Sequence, residues 1–492
     1  MRAKGSITIY LSLILPVMLA LVFTLLESAR VRGLQVDADR MTQAAAESVF
    51  AEYNRPLLEE YDLFLLDAGY GTGSFSAENA AARMMTFMAE NADASDETSG
   101  LSLDFFSLTV QEAVIEEYQL VTDDDGAAYY EMACSYAKSA LPAAALRNLT
   151  AYLTGSAQSE TDSEADEIEE ALDALSDESS YGEEINSELT EAEIAAAEAV
   201  TEETKGILET VSELKTQGIL ALLVEDASDL SALSLSGETL YSDRESEEGT
   251  QTFLSGDGSR LLFQWYLGEK FTSFTDEAKE GHVLAYELEY CYAGKDSDLK
   301  NLESAAEAIL LIREGINYAY LRTDSQKVSQ ARIVAVAIAG IFAVPALITI
   351  VENAVLAAWA FLESVKDVQT LLAGGKVPAV KTSSTWKTTL SIDSVTDGSD
   401  TGTSSGLTYE NYLQVLLLTR KESKLIERSL NLIECNVASA DGNEGFQIDS
   451  CIAGAGWSVV WSGSPMFLSL TGFLQYGTDG YRFASEGTFQ YE

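Results

Sequence analysis

The sequence predicts an α+β protein: a long N-terminal transmembrane helix, then a mixed α/β extracytoplasmic domain with an acidic helical insertion. Three observations predict it. Residues Gly5 to Leu26 form an unbroken uncharged apolar run. Beyond residue 100, apolar residues recur in some segments at every second position and in others every three or four. From Asn148 to Thr204 there is no Lys, Arg or His, and 18 carboxylates lie between Glu160 and Glu203.

Composition narrows the function classes. The chain has 492 residues, a net charge of −49, one histidine and 47% hydrophobic residues. An acidic surface cannot displace counterions from phosphate, so no nucleic-acid partner is expected. The apolar content excludes a wholly disordered chain. A single histidine, His282, excludes a multi-histidine metal centre, and no cofactor is expected.

Taken in order, the first element is the apolar run. Its 22 residues at 1.5 Å each span about 33 Å, enough to cross the hydrocarbon core. The run exceeds a usual signal core, and Glu27 sits where a small residue should precede a cut at Ala29, so an anchor is expected rather than a cleaved signal. Arg2 and Lys4 give a positive flank, which predicts a single pass with the N-terminus cytoplasmic. Val31, Leu34, Ala38, Met41, Ala45, Val49 and Tyr53 then step by three or four, so an amphipathic helix continues directly, to end near Pro56.

Next, Leu103 to Val121 alternates as a strand, Asp123-Asp124-Asp125-Gly126 is a turn signal, and Tyr130 to Tyr136 alternates again, which together predict a β-hairpin. The base-free acidic stretch predicts a solvated insertion. It contains no D-x-D-x-D-G loop with a following Glu, so no calcium geometry is fixed. Leu284 to Tyr292 alternates and predicts a half-buried strand. Ser297 or Asp298 is placed to cap a following helix that carries Leu302, Ala305, Ile309, Ile312, Ile316 and Ala319 on one face. The polar residues of this strand-turn-helix unit are Lys295, Asp298, Asn301, Arg313 and Asn317, expected to satisfy turn and helix-end groups. Ile333 to Val351 is a second uncharged run, either a buried helical hairpin, which is favoured, or a second span. Ser391 to Gly406 is a linker, Tyr409 to Glu434 is helical, and the C-terminal tail forms short strands. The resulting segments are 1–60, 61–150, 151–250, 251–390 and 391–492.

Catalytic patterns are few. Asp400-Thr401-Gly402-Thr403 resembles half of an aspartic-protease site, but it lies in the linker and has no second copy. No G-x-S-x-G, P-loop or G-x-G-x-x-G occurs. His282 is expected to be a turn histidine. Cys134, Cys291, Cys435 and Cys451 allow three pairings. Cys435 with Cys451 closes the shortest loop, and buried free thiols are the other option.

Two resemblances add context. KGSITIYLSLILPVMLALVFTLLESARVRG resembles the start of the minor pilin-like proteins of tight-adherence (Tad, Flp-type) pilus systems. That resemblance implies a pilin-like first helix and prepilin-type processing between Gly5 and Ser6. Major pilins carry Glu five residues after the cut, where this chain has Tyr10. The blocks Ala44–Asp67, Tyr286–Leu302, Leu310–Leu321 and Leu371–Trp386 are similar to a family of membrane-anchored proteins called domain of unknown function 5702, associated with tight-adherence loci. These resemblances imply a membrane-anchored extracytoplasmic structural or assembly component of such a pilus or a related secretion system, without enzymatic activity. Its partners would be the lipid bilayer and other pilin-like or pilus-assembly subunits. The alternative is an anchored cell-surface binding module or a hydrolase acting on cell-wall glycan, with two carboxylates about 5–9 Å apart in an aromatic cleft.

Overall fold

The structure, a computed structural model, describes residues 4–92, 105–141, 220–224, 230–235, 239–339, 345–389, 406–440, 442–469 and 480–491. Within these, the protein is mixed helix and sheet and begins with an apolar helix. The chain divides into two units: unit 1 is Met1–Tyr136, Thr239–Ser259 and Ile433–Glu492, and unit 2 is Ala137–Glu238 and Arg260–Leu432. Both are discontinuous, so the division does not follow the five linear segments. The reason lies in the sheet of unit 1, whose strands come from both ends of the chain.

In unit 1, α1 (Lys4–Phe50) is one helix of 47 residues, as the continuous patterning predicts. Pro16 is accommodated inside it. The helix stops before Pro56, which instead sits in the first turn of α2 (Arg55–Tyr61), where a missing N–H costs nothing. Asn54 caps α2 by accepting from Leu57 N. Then come β1 (Leu66–Asp67), α3 (Ala77–Ala92), β2 (Thr109–Leu120) and α4 (Asp123–Ala140), whose last turn from Ala137 belongs to unit 2. The C-terminal part supplies β3 (Cys451–Gly463) and β4 (Tyr481–Gln490).

The central strand is β3, buried on both faces through most of its length. It pairs antiparallel with β2 along one edge, from Thr109↔Ser462 to Leu120↔Ile452. Its other edge carries β4 (Gly454↔Gln490 to Gly463↔Tyr481) and then, end to end, the short β1. The second half of α1 lies on this sheet through Leu34, Ala38, Thr42, Ala45, Ala46, Val49 and Phe50, all buried. Trp461 Nε1 donates to Thr42 Oγ1 at 2.9 Å, and Phe50 stacks on Phe489 with centroids 4.5 Å apart.

The hairpin expectation is corrected here. β2 is a strand, but residues after the turn signal are helical, and the partner of β2 is β3. Asp124, Asp125 and Gly126 take φ of 52°, 59° and 82°, so the turn itself is real. The helical turns beyond Gly126 bury Ala128, Tyr129, Ala133 and Ala137 as well as Met132 and Cys134, a helical face rather than one side of a ribbon. The C-terminal strands are also longer than expected.

Unit 2 is helical: α5 (Arg260–Lys270), α6 (Glu287–Ala293), α7 (Asp298–Thr323), α8 (Ser325–Ala339), α9 (Pro345–Leu372), α10 (Tyr409–Leu418) and α11 (Glu422–Ser439), whose last turns belong to unit 1. The predicted strand at Leu284–Tyr292 is α6. Both of its sequence faces are buried, including Glu287 and Glu289, so the alternation did not mark a solvated side. Gly294 ends α6 at φ 65°, a C-terminal position only glycine fills easily. Asp324 closes α7 and caps α8 by accepting from Gln326 N and Lys327 N. Tyr409–Glu434 is two helices, broken at residues 419–421; Thr408 and Asn411 form a capping box on the first.

The run Ile333–Val351 is described except for residues 340–344. Its first residues end α8 and its last begin α9, which packs against both α8 and α7. Leu321, Ala331, Val355, Leu356, Trp359, Ala360 and Trp386 make one core there. The acidic stretch 160–203 and Asp400–Thr403 lie outside the described residues.

Candidate functional site

Among the described residues, two helices are long and apolar enough to cross a membrane, Tyr10–Phe50 and Ile348–Leu372. They differ in burial: the apolar window of the first is 6% buried and that of the second 56%. From Tyr10 to Leu26, α1 exposes Leu11, Leu13, Leu15, Val17, Leu21 and Leu25 all round. A soluble surface rarely leaves so large a continuous apolar area in water.

The change at residue 27 is abrupt. Glu27 and Arg30 are both buried and pair at 3.1 Å. Glu27 accepts from the backbone N–H of Met466 at 3.2 Å, Phe467 at 2.6 Å and Leu468 at 3.4 Å. Arg30 Nε donates to Phe105 O at 2.6 Å and Nη1 to Ser464 O at 2.8 Å. A single helix turn therefore satisfies the backbone of two loops. Phe467 lies 6.4 Å from Phe23 and 6.3 Å from Phe105, ring centre to ring centre. The Tyr481 phenol is pushed up by burial and then by the Glu27 carboxylate beside it. Gly5 and Ser6 lie at the start of α1.

The polar residues of the α6–α7 unit separate into two groups. Asn301 closes the turn: its Oδ1 accepts from Lys295 N at 2.8 Å and its Nδ2 donates to Lys295 O at 3.1 Å. Asp298 does not cap its own helix, which has no side-chain cap. It is turned away to accept from Ala285 N, Tyr286 N and Ser231 Oγ, ordering the segment before α6.

Arg313 and Asn317, one turn apart on α7, join a buried ion cluster instead of a helix end. Arg313 donates to Asp367 Oδ2 through Nε at 3.0 Å and Nη2 at 2.9 Å, and through Nη1 to Ala379 O and Tyr412 Oη. Asn317 Nδ2 donates to Ser364 Oγ and Asp367 Oδ2. Lys381 Nζ lies 2.5 Å from Glu363 and 2.6 Å from Asp367. Glu363 also accepts from Lys387 N and from Thr388 N and Oγ1. Burial alone would raise the Asp367 carboxyl, but Arg313 and Lys381 hold it below its ordinary range. Two cations and two carboxylates thus tie the 379–388 segment to α9 and α7. Sequence reasoning missed Glu363, Asp367 and Lys381. The available signal was two acids four residues apart, Glu363 and Asp367, in a largely apolar helix, a spacing that puts both on one face.

A second carboxylate group surrounds α6. Glu287 accepts from Thr272 N at 3.0 Å and meets His282 Nδ1 at 2.7 Å, so a carboxylate holds the His282 ring. Glu289 Oε1 accepts from Phe274 N and Tyr409 Oη, while its Oε2 is buried without a partner. Burial above all, with Asp298 adding to it, pushes Glu289 up to about 7. Among the described residues, no three His, Cys, Asp or Glu side chains are grouped to hold a metal.

The four cysteines are buried and none is in a disulfide, so Cys435 and Cys451 do not form the suggested bridge. Burial pushes the Cys291 and Cys451 thiols up, and neighbouring carboxylates add to it.

A family model described as family of unknown function (DUF5702) matches residues 197–463, more than half of the chain. The match ends at the last residue of β3 and includes the Arg313–Asp367–Lys381 cluster; α1 precedes it. No curated protein and no solved structure matches the chain.

Proposed function

The chain belongs to the family of unknown function DUF5702, and from that premise we propose that it is a membrane-anchored extracytoplasmic structural component of a tight-adherence pilus or related secretion assembly. The observation that carries the anchoring is the division of α1: apolar and largely exposed all round from Tyr10 to Leu26, then with one face buried in unit 1 from Glu27 onward. Such a helix has no soluble use for its first half, and about 33 Å of it matches a bilayer core. The positive flank of Arg2 and Lys4 supports a cytoplasmic N-terminus and a translocated body.

The assembly role rests on the likeness of residues 4–33 to minor pilin-like proteins. The mechanism is positional: α1 holds the protein in the bilayer beside neighbouring pilin-like helices, and units 1 and 2 present surfaces to other subunits. The Ile348–Leu372 segment is assigned to the interior of unit 2, because Glu363 and Asp367 on it bind Lys381 and Arg313 rather than facing lipid.

Two measurements test this reading. Protease added to intact cells should degrade units 1 and 2 and leave a short membrane-protected fragment. Deletion of the gene should lower filament levels, and a tagged chain should co-purify with pilus-assembly proteins. Normal filaments with no co-purifying pilus protein would overturn the assembly role.

A further inference from the structure

We infer that the loop tips at residues 105–106 and 466–468, with Tyr481, form an aromatic collar that seats unit 1 in the lipid headgroup layer. The collar rests on the anchor reading above and extends it from a tether to a second lipid contact.

Depth is the first argument. Counting from Gly5, about 20 residues of helix cross a hydrocarbon core of about 30 Å, which places its outer boundary near Leu25. The two loops meet α1 at that level: Phe467 packs on Phe23, residues 466–468 bond to Glu27, and Phe105 and Ser464 bond to Arg30. Chemistry is the second. Phe105 and Phe106 are exposed, and Met466, Phe467 and Leu468 are half-buried. A phenol at the hydrocarbon boundary is what the interface favours, and the Phe rings, Met466 and Leu468 beside it offer apolar surface to the hydrocarbon side.

Satisfaction of the backbone is the third argument. A loop tip entering a dry layer carries N–H and C=O groups that must be paired. Here the N–H groups of residues 466, 467 and 468 all donate to Glu27, and the carbonyls of Phe105 and Ser464 accept from Arg30. Glu27 and Arg30 also neutralise each other, so the first charges past the apolar run stay inside the protein. Lipid is favoured over a protein partner because the collar is continuous with the exposed apolar surface of α1.

The test uses the full chain in phosphatidylcholine nanodiscs with an environment-sensitive fluorophore on a single introduced thiol. The sites are Phe467→Cys, Phe105→Cys, Leu19→Cys for the helix, and Thr72→Cys beyond β1, near the end of β3 away from the collar. The native cysteines are buried, and the unsubstituted chain measures their background labelling. Lipids spin-labelled at the headgroup should quench positions 467 and 105 at least about threefold more than position 72, and lipids labelled deep in the acyl chain should quench position 19. Equal quenching at 467, 105 and 72, with position 19 still quenched, would overturn the collar and leave the anchor standing. Loss of quenching at position 19 would overturn the anchor, and the collar with it.

Discussion

Among the described residues, the buried Arg313 and Asp367 charges are answered, whereas the Glu289 carboxylate, with Oε2 buried and unpartnered, is not. Arg313 and Asp367 answer each other, and removing one partner strands the other. Arg313→Met should destabilise unit 2 by about 3–5 kcal/mol in denaturant unfolding. The double variant Arg313→Met with Asp367→Leu should lose less than the two single losses added. Glu289 is the unanswered one. Its folded-state pKa of about 7 lies above the ordinary 4.5, so its contribution is full below pH 4.5 and is lost as pH rises through 7. Glu289→Gln should remove that dependence, worth roughly 3 kcal/mol between pH 4.5 and 8, and leave acid stability unchanged. A melting profile of Glu289→Gln that still falls across that window as in the parent chain would contradict this assignment. Asp367 works the other way: its carboxyl is held low, so its support is present above about pH 4 and disappears on further acidification.

Elements show which patterns in the sequence carry structural information. The first helix was legible because a 22-residue uncharged run and a stripe from Val31 to Val49 are long, one-dimensional signals. β2 was legible as a strand, but its partner was not: β3 lies more than 300 residues away, and local alternation says nothing about distant pairing. Residues 284–292 misled because the intervening positions hold Glu287 and Glu289, which are buried acceptors rather than a wet face. Arg313 and Asn317 stand out in the sequence for their place on a helix face, but the acids that give them a purpose sit on α9. Docking of α1 on β3 gives a direct test. Trp461→Phe leaves the Thr42 hydroxyl buried without its donor and should cost about 1–2 kcal/mol. Combining Trp461→Phe with Thr42→Val should cost less than the sum of the two, as read from a double-mutant cycle.

Across the whole molecule, the net charge of −49 and the near-neutral balance of apolar and polar residues describe a mixture of opposite parts. One part is a base-free acidic stretch; another is an exposed apolar helix that only a bilayer or a neighbouring helix would cover. The chain divides into two units, each built from separated stretches of chain. The central claim is that residues 5–26 hold an otherwise self-sufficient protein in the membrane. Glu27, Arg30 and the sheet contacts of α1 all lie beyond that stretch, so its deletion leaves these bonds in place and removes the Phe23–Phe467 ring contact. The most direct measurement is therefore fractionation of the full chain and of a chain lacking residues 5–26. The full chain should stay in the membrane pellet through alkaline carbonate and be released by detergent, while the shortened chain is soluble and keeps the cooperative unfolding of its sheet. Release of the full chain by carbonate, its recovery cut after residue 26, or retention of the shortened chain in the pellet would contradict the account.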